Sequence, residues 1–176
     1  MAIEHAVLGL LAMEPRHGYE LAKEFAPDTV LGDIVHLESG MLYAHLKKLE
    51  RQGWVSAELE PQEARPARKV FNVTAEGRDE LRRWMSEPVG KTRDIRLEFL
   101  LKLYLAFQME PESVGRLVNE QRAICSQFIE SLEAQIGEED EPFRLLVLEM
   151  RLAQNRALAH WLERAAQIES AALQSG

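Results

Sequence analysis

"SGMLYAHLKKLERQGWV", residues 39–55, is the stretch on which the fold turns. Ser39 has the short hydroxyl side chain that accepts from orphan amides, so the spacing predicts a helix N-cap there. Leu42, Leu46 and Leu49 follow at i, i+4 and i+7, a narrow stripe for burial. Tyr43 and Lys47 lie four apart on another face, as do Ala44 and Lys48, with Arg51 a turn further on. Gly53 supplies the left-handed residue that stops the helix. An aromatic strand begins at once with Trp54. A short helix with cations on its outer side is a solvated surface helix in many proteins, so what flanks it must decide its role.

Downstream, "WVSAELE" and "RKVFNV" alternate at period two around the proline- and charge-rich "PQEARPA", which predicts a β-hairpin. Arg65, Arg68 and Lys69 fall near its tip. Thr74 is placed to cap a following helix, "AEGRDELRRWMSE", with Glu76 in its first turn and Pro88 beyond its end. Upstream, Ile3, Val7, Leu10 and Leu11 predict a first helix, and "EPRHG" a turn. Leu21, Ala22 and Phe25 predict a second helix, closed by Pro27. Residues 28–38 read as a loop with room for a short turn. Three helices, a hairpin and a helix, with the third helix short and cationic outside, form a winged helix-turn-helix. A major groove admits one helix whose side chains reach base edges, while cations and hydroxyls meet the phosphates.

The overall charge is opposite to that of a DNA-binding surface. The chain of 176 residues carries 21 Lys+Arg against 29 Asp+Glu, a net charge of -8. Residues 1–84 hold 11 basic and 14 acidic side chains, leaving 10 and 15 for the remainder, so neither half is basic. A nucleic-acid footprint is therefore expected as a local patch. An apolar content of 46% with 28% charged residues is that of a globular chain with a core. The apolar runs are too short to span a bilayer, and no membrane partner is expected. The opening residues lack a basic stretch followed by an apolar run and cleavage site. Cys125 has no disulfide partner, and the expected location is cytoplasmic.

"PVGK" at 88–91 is the expected domain boundary, dividing 1–88 from 89–176. Beyond it the pattern is helical throughout: 93–108 with Leu97, Leu100, Leu101, Tyr104 and Phe107 on one face, 111–136 opened by Pro111, and a last helix from Pro142 to about Leu173. That helix carries two apolar stripes. Leu145, Leu148, Leu152, Ala159, Leu162 and Ala166 fit a heptad interrupted by Asn155; Leu158, Trp161, Ala165, Ile168 and Ala172 run beside it. One stripe can cover its own domain, and the other calls for a second copy. Leu145, Leu148, Leu152, Asn155, Leu158, Trp161 and Leu162 are the expected dimer contacts.

"HGYEL" at 17–21, the 39–55 segment and "RKVFNVTAEGRDEL" at 68–81 together resemble the PadR family of bacterial transcriptional regulators over about residues 3–86. The family pattern has a Gly-Tyr-(Glu)-Leu second helix, a Ser-x-x-x-Tyr-x-x-Leu-x-x-Leu recognition helix and a wing exit ending Thr-x-x-Gly. Phe71 stands where many members have Tyr. "RLEFLLKLYLAF" at 96–107 and the long last helix are similar to the longer-tailed members, whose C-terminal helices dimerise. The resemblance implies a mostly α (α+β) chain: a winged helix-turn-helix domain and then an all-helical dimerisation domain. It implies Tyr43, Lys47, Arg68 and Lys69 as DNA contacts. Ser39, Lys48, Arg51, Arg65, His17 and Tyr19 complete the expected DNA-facing set. The expected partners are double-stranded DNA at an inverted repeat and a second copy.

Alternatives stay open at this level. A protein-interaction module, or a ligand sensor on a winged-helix scaffold without strong DNA binding, would show the same paired stripes; "RPARK" speaks against the first. Trp84, Phe107 and Trp161 are candidates for an effector pocket, though residues of this kind are more often core. Cys125 between Ile124 and Phe128 reads as a small core residue. The five histidines have no metal spacing, so no metal or cofactor is expected, and no G-x-S-x-G, Walker or H-E-x-x-H pattern suggests an enzyme.

Overall fold

The computed structural model describes the backbone of residues 1–62 and 65–173 and the side chains of 1–60 and 68–166. Its contacts divide the chain into two compact units: Met1–Glu87 with Asp94–Met109, and Pro88–Arg93 with Glu110–Gly176. Residues 94–109, which the sequence assigns to the C-terminal half, therefore belong to the N-terminal unit.

In the first unit, α1 (Ala2–Met13) is the central helix, buried from Glu4 to Leu11. A two-residue strand, β1 (Arg16–His17), leads into α2 (Gly18–Glu24). The 28–38 segment holds α3 (Val30–Ile34), capped by Thr29 Oγ1 accepting from the Gly32 amide at 2.9 Å. Next comes α4 (Ser39–Arg51), whose buried residues are the expected Leu42, Leu46 and Leu49. Its N-cap is Glu38 and not Ser39, and no side chain closes the cap. Buried Leu37 brings the chain in extended as far as Glu38, which leaves Ser39 exposed in the first turn.

At the far end Gly53, at φ 73°, produces a Schellman exit. Its amide bonds the Glu50 carbonyl at 3.0 Å and that of Trp54 bonds Leu49 at 3.1 Å. Strands β2 (Val55–Gln62) and β3 (Arg65–Val73) form the hairpin, with a register shift between Glu60 and Gln62. β1 adds to the other edge of β3, Arg16 opposite Phe71 and His17 opposite Val70, giving a three-stranded sheet ordered β1-β3-β2. Helix α5 (Ala75–Ser86) starts at Thr74, whose hydroxyl donates to the Gly53 carbonyl and accepts from the Gly77 amide. Gly77 is required there because a β-carbon would collide with the Trp54 carbonyl.

A short helical segment, α6 (Thr92–Asp94), runs through a π-helical turn (Ile95–Phe99) into α7 (Leu100–Met109), which packs on α1 and α5. The wide turn rotates the buried face away from the expected one. Ile95, Phe99, Leu101 and Leu105 are covered, while Leu97 and Leu100 are only half-buried. Lys102 is buried as well. Its ammonium donates to the Glu87 carbonyl at 2.6 Å, pairs with Glu98 at 3.2 Å and lies over the Trp84 ring, so its charge is fully partnered.

The second unit is a helical hairpin. A 3₁₀ turn (Pro111–Ser113) opens α8 (Val114–Gly137), and α9 (Pro142–Leu173) returns along it. Leu132, Leu148 and Leu152 form its inner core, with Ile129 and Ile136 packed against them. Gln121, buried on α8, holds the 88–93 segment through both backbone groups of Val89, at 2.7 and 2.9 Å. No helix among the described residues is long and apolar enough to cross a membrane.

Candidate nucleic-acid interface

With its leucines against the core, α4 presents Gly40, Tyr43, Ala44, Lys47 and Arg51 to solvent at i, i+3, i+4, i+7 and i+11. These residues make one straight stripe on the helix. Tyr43 is 49% exposed, and one edge of its ring rests on the backbone of Gly18. No ion pair among the described residues engages Lys47 or Arg51, so both cations remain available to an anionic ligand.

Lys48 is placed differently. Its ammonium donates at 2.5 Å to Glu4 Oε1 on α1, and His45 approaches the same oxygen at 3.3 Å. Glu4 is buried, and burial by itself raises a carboxyl pKa. The bond from Lys48 and a backbone hydrogen bond outweigh that and hold Glu4 down to about 2. Lys48 thus serves, with the N-terminal ammonium at 3.3 Å from the other oxygen, as a counter-ion of a buried carboxylate and is not a member of the outer stripe. The i+4 spacing from Ala44 hid this, because sequence alone does not reveal which residue on α1 faces position 48.

The wing flanks the stripe. Arg68 and Lys69 point to opposite faces of β3, as adjacent strand residues must. Lys69 follows the Phe71 side, where it pairs with Glu50 of α4 at 3.6 Å. Arg68 lies over the ring of Tyr19, its guanidinium 5.4 Å from the centroid. Lys23 reaches that ring at 5.5 Å, and His17 stacks on it with centroids 5.5 Å apart. His17 Nδ1 donates to the Lys69 carbonyl at 3.1 Å, which ties α2 to the wing. The side chain of Arg65, expected among the wing cations, lies outside the described residues. Lys23, Gly40 and Met41 were not singled out by the sequence. The i+4 spacing of Tyr19 and Lys23 was the available signal for Lys23, while Met41 is 51% exposed beside the stripe.

The other expected residues fall as follows. Trp84 is in the core, stacked on His5 at 4.6 Å, with its indole N–H donated to Glu98 at 3.1 Å. Phe107 is half-buried on α7 in the first unit, and Trp161 half-buried on α9 in the second. Leu148, Leu152 and Leu162 of the expected dimer stripe are buried within the chain itself. So is Asn155, whose Oδ1 accepts from Thr92 and whose amide donates to the Arg151 carbonyl, both at 2.8 Å. Leu145, Leu158 and Trp161 are half-buried; Ile168 and Ala172 lie outside the described side chains. Among the described side chains of α9, the large apolar ones left open are Phe143, Leu146, Val147 and Met150. Cys125 is fully buried, and burial pushes its thiol up.

Residues 7–83 match the transcriptional regulator PadR-like family, and residues 95–168 match the family described as virulence activator alpha C-term. The chain is 38% identical over 93 residues to the probable transcriptional regulator Rv1176c of Mycobacterium tuberculosis, covering 53% of this chain and 48% of that protein. It is 26% identical over 121 residues to the negative transcriptional regulator PadR of Bacillus subtilis, covering 68% and 64%. The chain thus spans about half to two thirds of the length of these curated relatives, both named as transcriptional regulators. The crystal structure of Bacillus subtilis PadR in complex with operator DNA aligns with a TM-score of 0.49 at 22% identity, over 96% of this chain and 99% of that one. The N-terminal winged-helix segment, residues 7–83, thus carries a domain of the transcriptional regulator PadR-like family.

Proposed function

We propose that the chain is a DNA-binding transcriptional regulator, acting as a homodimeric repressor at an inverted-repeat operator. The observation that carries this is the α4 stripe of Gly40, Tyr43, Ala44, Lys47 and Arg51, open along its whole length beside Arg68 of the wing. Small residues at 40 and 44 allow close approach to base edges, Tyr43 offers a hydroxyl, and Lys47 and Arg51 offer cations to phosphates or guanine. The net charge of -8 does not oppose this, because its acids lie outside the stripe. Repression is the role named for the Bacillus subtilis relative, and it is carried over with the family. The open α9 residues Phe143, Leu146, Val147 and Met150 support a second copy, since a cluster of large apolar side chains is unfavourable in water. A two-fold dimer places the two α4 helices on half-sites a helical turn or more apart. An effector of such a dimer acts by shifting its states toward a different helix separation.

Selection of binding fragments from a random DNA pool, followed by affinity against salt, tests this reading. An enriched palindrome whose affinity falls steeply with salt supports it. Absence of enrichment, or binding indifferent to salt, overturns it in favour of a protein partner.

A further inference from the structure

The Tyr19 ring is the centre of an arrangement that a plain DNA-contact residue would not need. It is 43% exposed, yet its position is determined from three sides. One side is the His17 imidazole, stacked at an interplanar angle of 14°. His17 is itself fixed: its backbone N–H donates to Glu20 Oε2 at 2.8 Å, Nδ1 donates to the Lys69 carbonyl at 3.1 Å, and Nε2 faces Glu60 at 3.4 Å. The second is the phenol, whose hydroxyl donates to the other oxygen of Glu20 at 3.1 Å. The third is Arg68, which comes from the wing, 49 residues away in sequence, and sets its guanidinium over the ring.

Among the described residues no carboxylate pairs with Arg68, although Glu60 lies directly across the hairpin from it. An aromatic face holds a guanidinium without neutralising it and leaves its N–H donors unused. A carboxylate partner would do the reverse, consuming both the charge and the donors. A long cation on a two-stranded wing otherwise samples many rotamers, and ordering it on DNA costs free energy that the ring removes beforehand. Lys23 reaches the same ring from the next turn of α2, four residues on, and so does not depend on the wing.

We propose that Tyr19 is a positioning residue for DNA binding: seated on His17, its ring holds the wing cation Arg68 charged and aimed at phosphate beside the α4 stripe. This rests on the DNA-binding reading above and assigns Tyr19 a role other than direct contact.

The test is a double-mutant cycle on the full chain, with Tyr19→Leu, Arg68→Ala and the pair, read as affinity for a selected DNA fragment against salt. Arg68→Ala should lower the magnitude of the log–log salt slope by about 0.9, the value for one phosphate contact. Tyr19→Leu should weaken binding on the order of three-fold, the scale of an exposed cation–π contact. It should add nothing when Arg68→Ala is already present. Tyr19→Phe keeps the ring and loses only the hydroxyl bond to Glu20, so its loss of affinity should be smaller than that of Tyr19→Leu. Thermal midpoints of all variants control for folding. Equal losses from Tyr19→Leu in the wild-type and Arg68→Ala backgrounds, or a Tyr19→Phe variant as weak as Tyr19→Leu, overturn the proposal and make Tyr19 a contact in its own right. Wild-type protein without salt-dependent DNA binding overturns the underlying reading too, and Lys47→Ala separates the cases. A loss from Lys47→Ala with an additive Tyr19–Arg68 pair sinks this inference alone.

Discussion

Gly18 and Tyr43 are in direct contact: a β-carbon at position 18 would lie 2.6 Å from Cε1 and Oη of the Tyr43 ring. The glycine that opens α2 thus sets where the exposed tyrosine of α4 can lie, and two separate sequence segments act as one surface. The clash concerns the far end of a side chain that is half open to solvent, so the ring can swing away. Gly18→Ala should therefore change stability by less than about 1 kcal/mol, because alanine also gains helix propensity. Its DNA affinity should fall by a similar factor to that of Tyr43→Ala. Thermal melts paired with binding isotherms check this, and a stable Gly18→Ala protein with wild-type affinity would remove Tyr43 from the interface.

Adjacent lysines on α4 should behave oppositely. Lys47 is exposed with no ion-pair partner among the described residues, so Lys47→Ala should leave stability within about 0.5 kcal/mol of wild type and flatten the salt dependence of DNA binding. Lys48→Ala removes the shortest partner of the buried Glu4 carboxylate, leaving it the N-terminal ammonium at 3.3 Å, and should destabilise the fold by about 1–3 kcal/mol, discounted from a fully buried pair because Lys48 is partly exposed. Denaturant titrations and binding assays on both variants separate the roles. A Lys48→Ala protein as stable as wild type would show that the N-terminal ammonium suffices for Glu4 and that Lys48 adds nothing to the fold.

Glu4 also gives an acid-limb prediction. Its carboxyl is depressed from 4.5 to about 2 in the folded chain, so the folded state holds fewer protons than the unfolded state between those values. The stabilisation it contributes, on the order of 3 kcal/mol by linkage, is complete above pH 4.5 and is lost as pH falls toward 2. Glu4→Gln should flatten that part of the stability–pH curve. A curve of unchanged shape would assign the acid sensitivity to other carboxylates.

What the sequence disclosed depended on how local the cause was. Gly53 ending α4, Thr74 capping α5 and Pro142 opening α9 are decided within a few residues, and each is where its residue type predicts. β1 was invisible, because two residues have no periodicity and exist as a strand only through β3. The π-helical turn at Ile95–Phe99 was equally hidden, since one extra residue per turn rotates a face that ordinary helical spacing misassigns. The α4 stripe was legible except at its edge. Lys48 falls there, and only the fold brings Glu4, 44 residues earlier, beneath it.

The same limit governs α9. Two apolar stripes were evident, but amphipathicity does not say which one the chain covers by itself. Leu148, Leu152 and Leu162 are covered within the chain, so Leu152→Ala should act as a core truncation and cost about 2–5 kcal/mol. Phe143, Leu146, Val147 and Met150, spaced i, i+3, i+4 and i+7, stay open, with Phe143 70% exposed. If a second copy covers them, a Leu146→Glu, Met150→Glu double variant will shift sedimentation from dimer toward monomer, because two carboxylates would be desolvated at the contact. Its helical content should persist, since neither side chain supports the monomer. Binding to a palindromic fragment should then weaken to that of a single half-site. A double variant that remains dimeric would place the subunit contact on another face of the chain.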